Sequence, residues 1–156
     1  MMTQSDDFTE TMQGAGATAG VVRRGVTALS RRFRAARLNH GVSPSKLTVL
    51  SRLRRAGPLT SSRLAALERI QPQSLTRLIG DLEDRGLVRR RPDLQDRRQI
   101  LIEITPEAVE LLRNDARAQD TWLTECMMRV LTPTEAEILK MAAALMEKLA
   151  ENAIEE

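Results

Sequence analysis

The chain has 156 residues, 42% of them apolar and 2% aromatic, with a net charge of +3, enough for one ordinary domain or two small lobes sharing a core. Its single cysteine, Cys126, excludes an internal disulfide and suits a reducing compartment. No apolar run approaches the roughly 18 residues of a membrane span, and no positively charged segment leads into an apolar one at the N-terminus, so neither a membrane partner nor a secretion signal is expected. The expected location is the cytoplasm.

Charge is unevenly spread. Residues 1–20 have no Lys or Arg and three acids, and residues 21–40 have six arginines and no acids. Residues 41–104 have a net charge of +6 and residues 105–156 of −6. A basic middle beside an acidic end suits a nucleic-acid-binding lobe joined to an assembly lobe.

In chain order, residues 1–16 are polar, with two glycines and no periodicity, and read as a mobile tail. From Ala17 to His40 the stripe Val22, Val26, Leu29, Phe33 and Ala36 predicts a long helix, stopped at Gly41. Ser43-Pro44 opens a helix over 45–56 that buries Leu47, Leu50 and Leu53, ended by Gly57-Pro58. Thr60 is a suitable N-cap for a short helix carrying Leu64, Ala65 and Leu67 inward. The break at Ile70-Gln71-Pro72 then places Pro72 first in a new helix, whose Leu75, Leu78, Ile79 and Leu82 define one buried face. Gly86 stands where a left-handed helix stop belongs. Two helices joined by a short break, the second amphipathic, form a helix-turn-helix pattern.

A hairpin follows. Leu87-Val88 opens one strand, Ile100, Ile102 and Ile104 alternate in the next, and RRRPDLQDRRQ lies between them, with a Pro/Asp-rich turn. Thr105-Pro106-Glu107 starts a further helix reaching about Val130, with Val109, Leu112, Ala116, Leu123, Met127 and Val130 on one side. Thr132-Pro133-Thr134-Glu135 starts the last helix with a capping box, and Ile138, Ala142, Leu145 and Leu149 share one of its faces. These helices have more apolar surface than so small a lobe can bury. Together with the first helix they predict a homodimer interface of Val22, Val26, Leu29, Leu123, Ile138, Ala142, Leu145 and Leu149.

The run D-L-E-D-R-G-L-V-R-R, then D-L-Q-D-R-R, I-x-I-T and I-T-P-E, resembles the MarR (multiple antibiotic resistance regulator) family over roughly residues 20–153. Leu94 stands where that family usually has proline, and Ala108 where it usually has glycine. Gly80, inside the second helix of the pair, is also unusual and costs about 1 kcal/mol relative to alanine in a helix interior. The expected fold is mainly α: a winged helix-turn-helix over 43–104, a helical dimerisation region over 17–42 and 105–156, and the tail over 1–16. The implied function is a sequence-specific DNA-binding transcription regulator, a repressor in the expected case, binding a pseudo-palindromic operator as a homodimer.

On the second helix of the pair, Gln73, Ser74, Thr76 and Arg77 face away from the apolar stripe. The start of a recognition helix meets base edges in the major groove. Arg77 suits guanine, Gln73 adenine, and Thr76 a thymine methyl or a phosphate. In the wing the resemblance implies that Asp96 holds the loop while Arg98, with Arg97, enters the minor groove, whose negative potential attracts guanidinium. Arg89, Arg90 and Arg91 suit phosphates, and Ser61, Ser62 and Arg63 at a helix start are weaker phosphate candidates.

One histidine, one cysteine and no glycine-rich phosphate loop leave no nucleophile–base pair and no metal-ligand cluster. No enzymatic activity, cofactor or metal is expected. Proteins of the resembled family often bind small aromatic or phenolic anions in a cleft between the lobes. His40, Arg37, Trp122 and Met127 could reach such a place, but nothing in their spacing requires it, and no ligand site is assigned. Two other classes stay open: a winged-helix protein-interaction module, and a redox sensor acting through Cys126.

Overall fold

The computed structural model describes the backbone of residues 4–152 and the side chains of residues 15–152. Helix α1 (Gln4–Ala35) leads to α2 (Pro44–Ala56), the short strand β1 (Leu59–Thr60), α3 (Ser61–Glu68) and α4 (Pro72–Asp84). Strands β2 (Val88–Pro92) and β3 (Ile100–Ile104) form the wing, and α5 (Pro106–Val130) and α6 (Pro133–Glu151) complete the chain. The fold is mainly helical, with a small antiparallel sheet in the order β1-β3-β2.

The element boundaries follow from local chemistry. Thr60, Thr105 and Thr132 each accept a backbone N–H in the first turn of α3, α5 and α6, satisfying donors that a helix start leaves unpaired. Glu135 returns a bond to the Thr132 N–H at 2.8 Å, completing the capping box. Pro72 is the first residue of α4. At its other end Gly86 has φ +69, while Gly86 N–H donates to Glu83 C=O and Leu87 N–H to Leu82 C=O, both at 2.9 Å. That pair of bonds is a Schellman stop.

One core serves the winged segment. Leu47, Val49, Leu50 and Leu53 of α2 meet Leu64 of α3, Leu75, Ile79 and Leu82 of α4, and Val88 and Ile102 of the sheet. Burying each such side chain contributes about 1.5–3 kcal/mol. From α5 Ala108 and Leu112 are buried in it and the half-buried Leu111 packs against it, whereas α6 has no buried residue.

The structure departs from the sequence reading in several places. Residues 4–16, expected as a mobile tail, are helical backbone in α1; a helix already nucleated extends at one bond per added residue without needing an apolar stripe. Residues 1–3 of that tail, and 153–156 of the C-terminal helical region, lie outside the described residues. The first helix ends at Ala35 rather than His40, because the Leu38 N–H turns to the Asp115 carboxylate at 3.1 Å. Strand β1 has no counterpart in the expected elements; Leu59 pairs with Ile102 and Thr60 with Leu101. Val49 is also buried, so the apolar face of α2 is wider than the stripe suggests. Leu67 is only half-buried, Ala116 is exposed, and Val130 is 71% exposed. The inward face of α5 instead includes Asp115.

Candidate nucleic-acid interface

Helix α4 presents Gln73, Ser74, Thr76 and Arg77 to solvent while Leu75, Ile79 and Leu82 anchor its other side. The Thr76 hydroxyl donates to Pro72 C=O at 2.9 Å, which fixes its rotamer. Ser61, Ser62 and Arg63 are exposed at the start of α3. Ser61 and Ser62 line a groove of about 510 Å3 with Arg69, Gln71 and Thr76. The turn between the helices contains Arg69 at φ 52, the only non-glycine residue at positive φ among the described residues. A left-handed conformation costs an arginine about 1–2 kcal/mol. It persists because Ile70 N–H reaches Ala65 C=O at 3.0 Å and closes the turn. The sequence carries one signal for Arg69, an arginine in a turn that favours glycine.

The wing divides its arginines into two sets. Arg89 lies directly across the sheet from Glu103, and its Nε is 2.8 Å from that carboxylate. Arg91 is 3.4 Å from the same group, and Arg90 is 3.4 Å from Glu83 of α4. Arg97 and Arg98 have no carboxylate partner among the described residues. Asp96 orders the tip: one carboxylate oxygen accepts Arg98 N–H at 3.1 Å and the other accepts the Gln99 side-chain amide at 3.1 Å. Asp93 accepts Gln95 N–H at 3.0 Å, and Asp93 N–H donates to Gln99 C=O at 3.0 Å, closing the hairpin. Leu94 is 89% exposed at this tip.

Behind α4, Asp81 lies between Lys46 of α2 and Arg85. The hydrogen bond from Lys46, with the charge of Arg85 adding to it, holds the Asp81 carboxyl below its ordinary range. Of the residues named as able to reach an effector cleft, Arg37 and His40 meet at Asp115, while Trp122 and Met127 have other neighbours. Arg37 lines a cavity of about 270 Å3 with Ser51, Arg54, Arg55 and Gln119. Trp122 packs edge-on against Phe33 at 5.6 Å, and Met127 faces another groove, with Met128 and Leu131. Cys126 is half-buried, with Arg129 Nη2 at 3.6 Å from its sulfur. Among the described residues no helix is long and apolar enough to cross a membrane.

Known proteins share both sequence and architecture. The MarR family profile matches residues 42–100. An HTH-type transcriptional regulator of Mycobacterium tuberculosis is 39% identical over 121 residues, which is 78% of this chain and 84% of that protein. A Pseudomonas aeruginosa protein of known crystal structure superposes with a TM-score of 0.77 at 29% identity, over 91% of this chain and 98% of its own. S. aureus MepR, solved as a mutant bound to an oligodeoxyribonucleotide, superposes with a TM-score of 0.63 at 19% identity, over 86% of this chain and 96% of its own. The exposed face of α4, the arginine wing and these relationships converge: the chain belongs to the MarR family and is a DNA-binding transcription regulator.

Proposed function

We propose that this regulator is a sequence-specific repressor that binds a pseudo-palindromic operator as a homodimer. Each subunit sets the start of α4 into a major groove, where Arg77 reads guanine and Gln73 reads adenine. The wing reaches the flanking minor groove through Arg97 and Arg98. The observation that carries this reading is the wing itself: its tip presents two uncompensated guanidinium groups on a loop ordered by Asp96, beside an exposed polar face on α4. Arg89, Arg90 and Arg91, already near carboxylates, make weaker phosphate contacts. Ser61, Ser62, Arg63, Ser74 and Arg69 line the phosphate track.

The partner in assembly is a second copy of the chain. Val22, Val26, Leu29, Ile138, Leu145 and Leu149 are all exposed in one subunit, and Leu123 and Ala142 are half-buried. An apolar face of that extent on a small protein signals association. The effector class is a small aromatic or phenolic anion, drawn to the cavity by Arg54 and Arg55, since the charge of Arg37 there is already met by Asp115. It releases DNA only to the extent that it binds the released state more tightly.

A gel-shift titration on the protein's own promoter, at two salt concentrations and with excess non-specific DNA, tests the reading. Tight, salt-sensitive binding that survives competitor is expected. Arg98→Ala should weaken operator binding by about 1–3 kcal/mol with no change in thermal midpoint, since its side chain lies outside the core. An unchanged dissociation constant removes the wing from the mechanism. Absence of binding even at low salt turns the assignment to a protein-interaction module.

A further inference from the structure

Asp115 of α5 is 4% exposed, the one buried charged residue among the described residues, and the DNA-contacting surface makes no use of it. Every partner it has comes from the connection between α1 and α2. Its Oδ1 accepts Leu38 N–H at 3.1 Å, His40 Nε2 lies 3.1 Å from the same oxygen, and Arg37 Nε is 3.8 Å from Oδ2. His40 is held at its other nitrogen, where Nδ1 accepts Val42 N–H at 3.2 Å, so in the neutral ring the proton sits on Nε2, toward Asp115. Arg37 Nε and Nη1 and His40 Nε2 are buried without an aligned hydrogen-bond acceptor. The negative charge of Asp115 is what offsets their burial.

The same connection is also held from α4. Gly41, at φ +68, has its C=O bonded at 2.8 Å by Nη1 of Arg85. Arg85 is the C-cap of α4, and its Nε is 3.2 Å from Asp81 on that helix. A continuous chain of polar contacts therefore runs from α5, through residues 37–42, to the last turn of the recognition helix.

We propose that Asp115 and Arg85 are positioning residues for DNA binding: they clamp the connection from both ends and so set where α4 stands relative to α1 and α5. The proposal rests on the reading of α4 as the base-contacting helix in a dimer. In that assembly the placement of α4 against the dimerisation helices determines the separation of the two recognition helices, and hence which half-site spacing fits. Loosening either end leaves the contacting side chains intact but widens the range of separations sampled.

The test uses the operator selected from the protein's own promoter by the wild-type chain, together with versions whose half-sites are moved one or two base pairs closer or further apart. Asp115→Ala and Arg85→Met should each bind the selected operator about tenfold more weakly. The altered spacings should be discriminated less sharply than by wild type, with the slope of affinity against salt unchanged. The double variant should be no weaker than the weaker single variant, since both act through one connection. Wild-type spacing preference in both single variants overturns the clamp. So does a salt slope lowered by about one unit in Arg85→Met, which marks a lost phosphate contact instead. If Asp115→Ala does not fold, the exposed Arg85→Met decides the question alone. Wild-type protein that shows no operator binding overturns the DNA reading and the clamp with it, whereas wild-type binding with unaltered variants overturns the clamp only.

Discussion

Two glycines in and beside the recognition helix show how backbone conformation decides the sign of one substitution. A Cβ added at Gly80 or at Gly86 meets nothing within 4 Å, so neither site is limited by space. Gly80 lies inside α4, where glycine is about 0.5–1 kcal/mol less favourable than alanine. Gly86 has φ +69, where an L side chain costs about 1–2 kcal/mol. Gly80→Ala is therefore expected to stabilise the protein and Gly86→Ala to destabilise it, by those amounts, in urea unfolding monitored by circular dichroism. Equal shifts of the same sign would show that packing, not backbone conformation, governs this helix end. Arg69 has the same problem as an alanine at position 86 but keeps its charge in the groove beside α3, consistent with strain retained where a side chain is useful.

Helix α4 is tied to its support by Asp81, and that tie has a definite pH dependence. Lys46 and Arg85 lower the Asp81 pKa in the folded chain, so the unfolded state takes up this proton first as pH falls. The stabilisation is present above the unfolded carboxylate value of about 3.9 and is lost as pH drops through the lower, folded value. Asp81→Asn should accordingly be less stable than wild type at neutral pH, by a constant margin down to about pH 5, and the margin should close below pH 4. A margin that stayed open below pH 4 in denaturant titrations at stepped pH would show that the Asp81 carboxylate is not the group responsible. Most elements of this lobe could be read from residue order, because their signals are local. A threonine with a proline after it opens α5 and α6, four apolar residues at helical spacing mark α4, and Gly86 ends it. What could not be read depends on partners distant in sequence. Nothing near Leu59–Thr60 announces a two-residue strand, since its partner is Ile102. Asp115 looks like any solvated helix acid until the α1–α2 connection folds over it. The resemblance sets Arg97 and Arg98 apart from Arg89, Arg90 and Arg91, but that the latter three are compensated follows only from the fold, which brings Glu103 and Glu83 to them.

The molecule as a whole has a well-buried winged lobe and two helices, α1 and α6, with no buried residue among the described side chains. In α6 no residue is buried, and Leu145 is 62% exposed, although the helix is well capped and its apolar residues share one side. Isolated helices of this length are marginal in water, so a stable α6 needs a surface to cover it, and in the proposed homodimer that surface would be α1 and α5 of a second copy. The substitution Leu145→Glu discriminates sharply. On a surface that stays solvated it should shift stability by no more than about 0.5 kcal/mol. In a dimer interface it places a charge against apolar side chains, and sedimentation should show a monomer. Because each subunit then meets only its own half-site, operator affinity should fall by about 10²–10⁴-fold, while affinity for a single half-site stays near that of one wild-type subunit. A Leu145→Glu protein that sediments as a dimer and keeps its operator affinity would take α6 out of the interface and leave the apolar faces of α1 and α5 as the surfaces joining two copies.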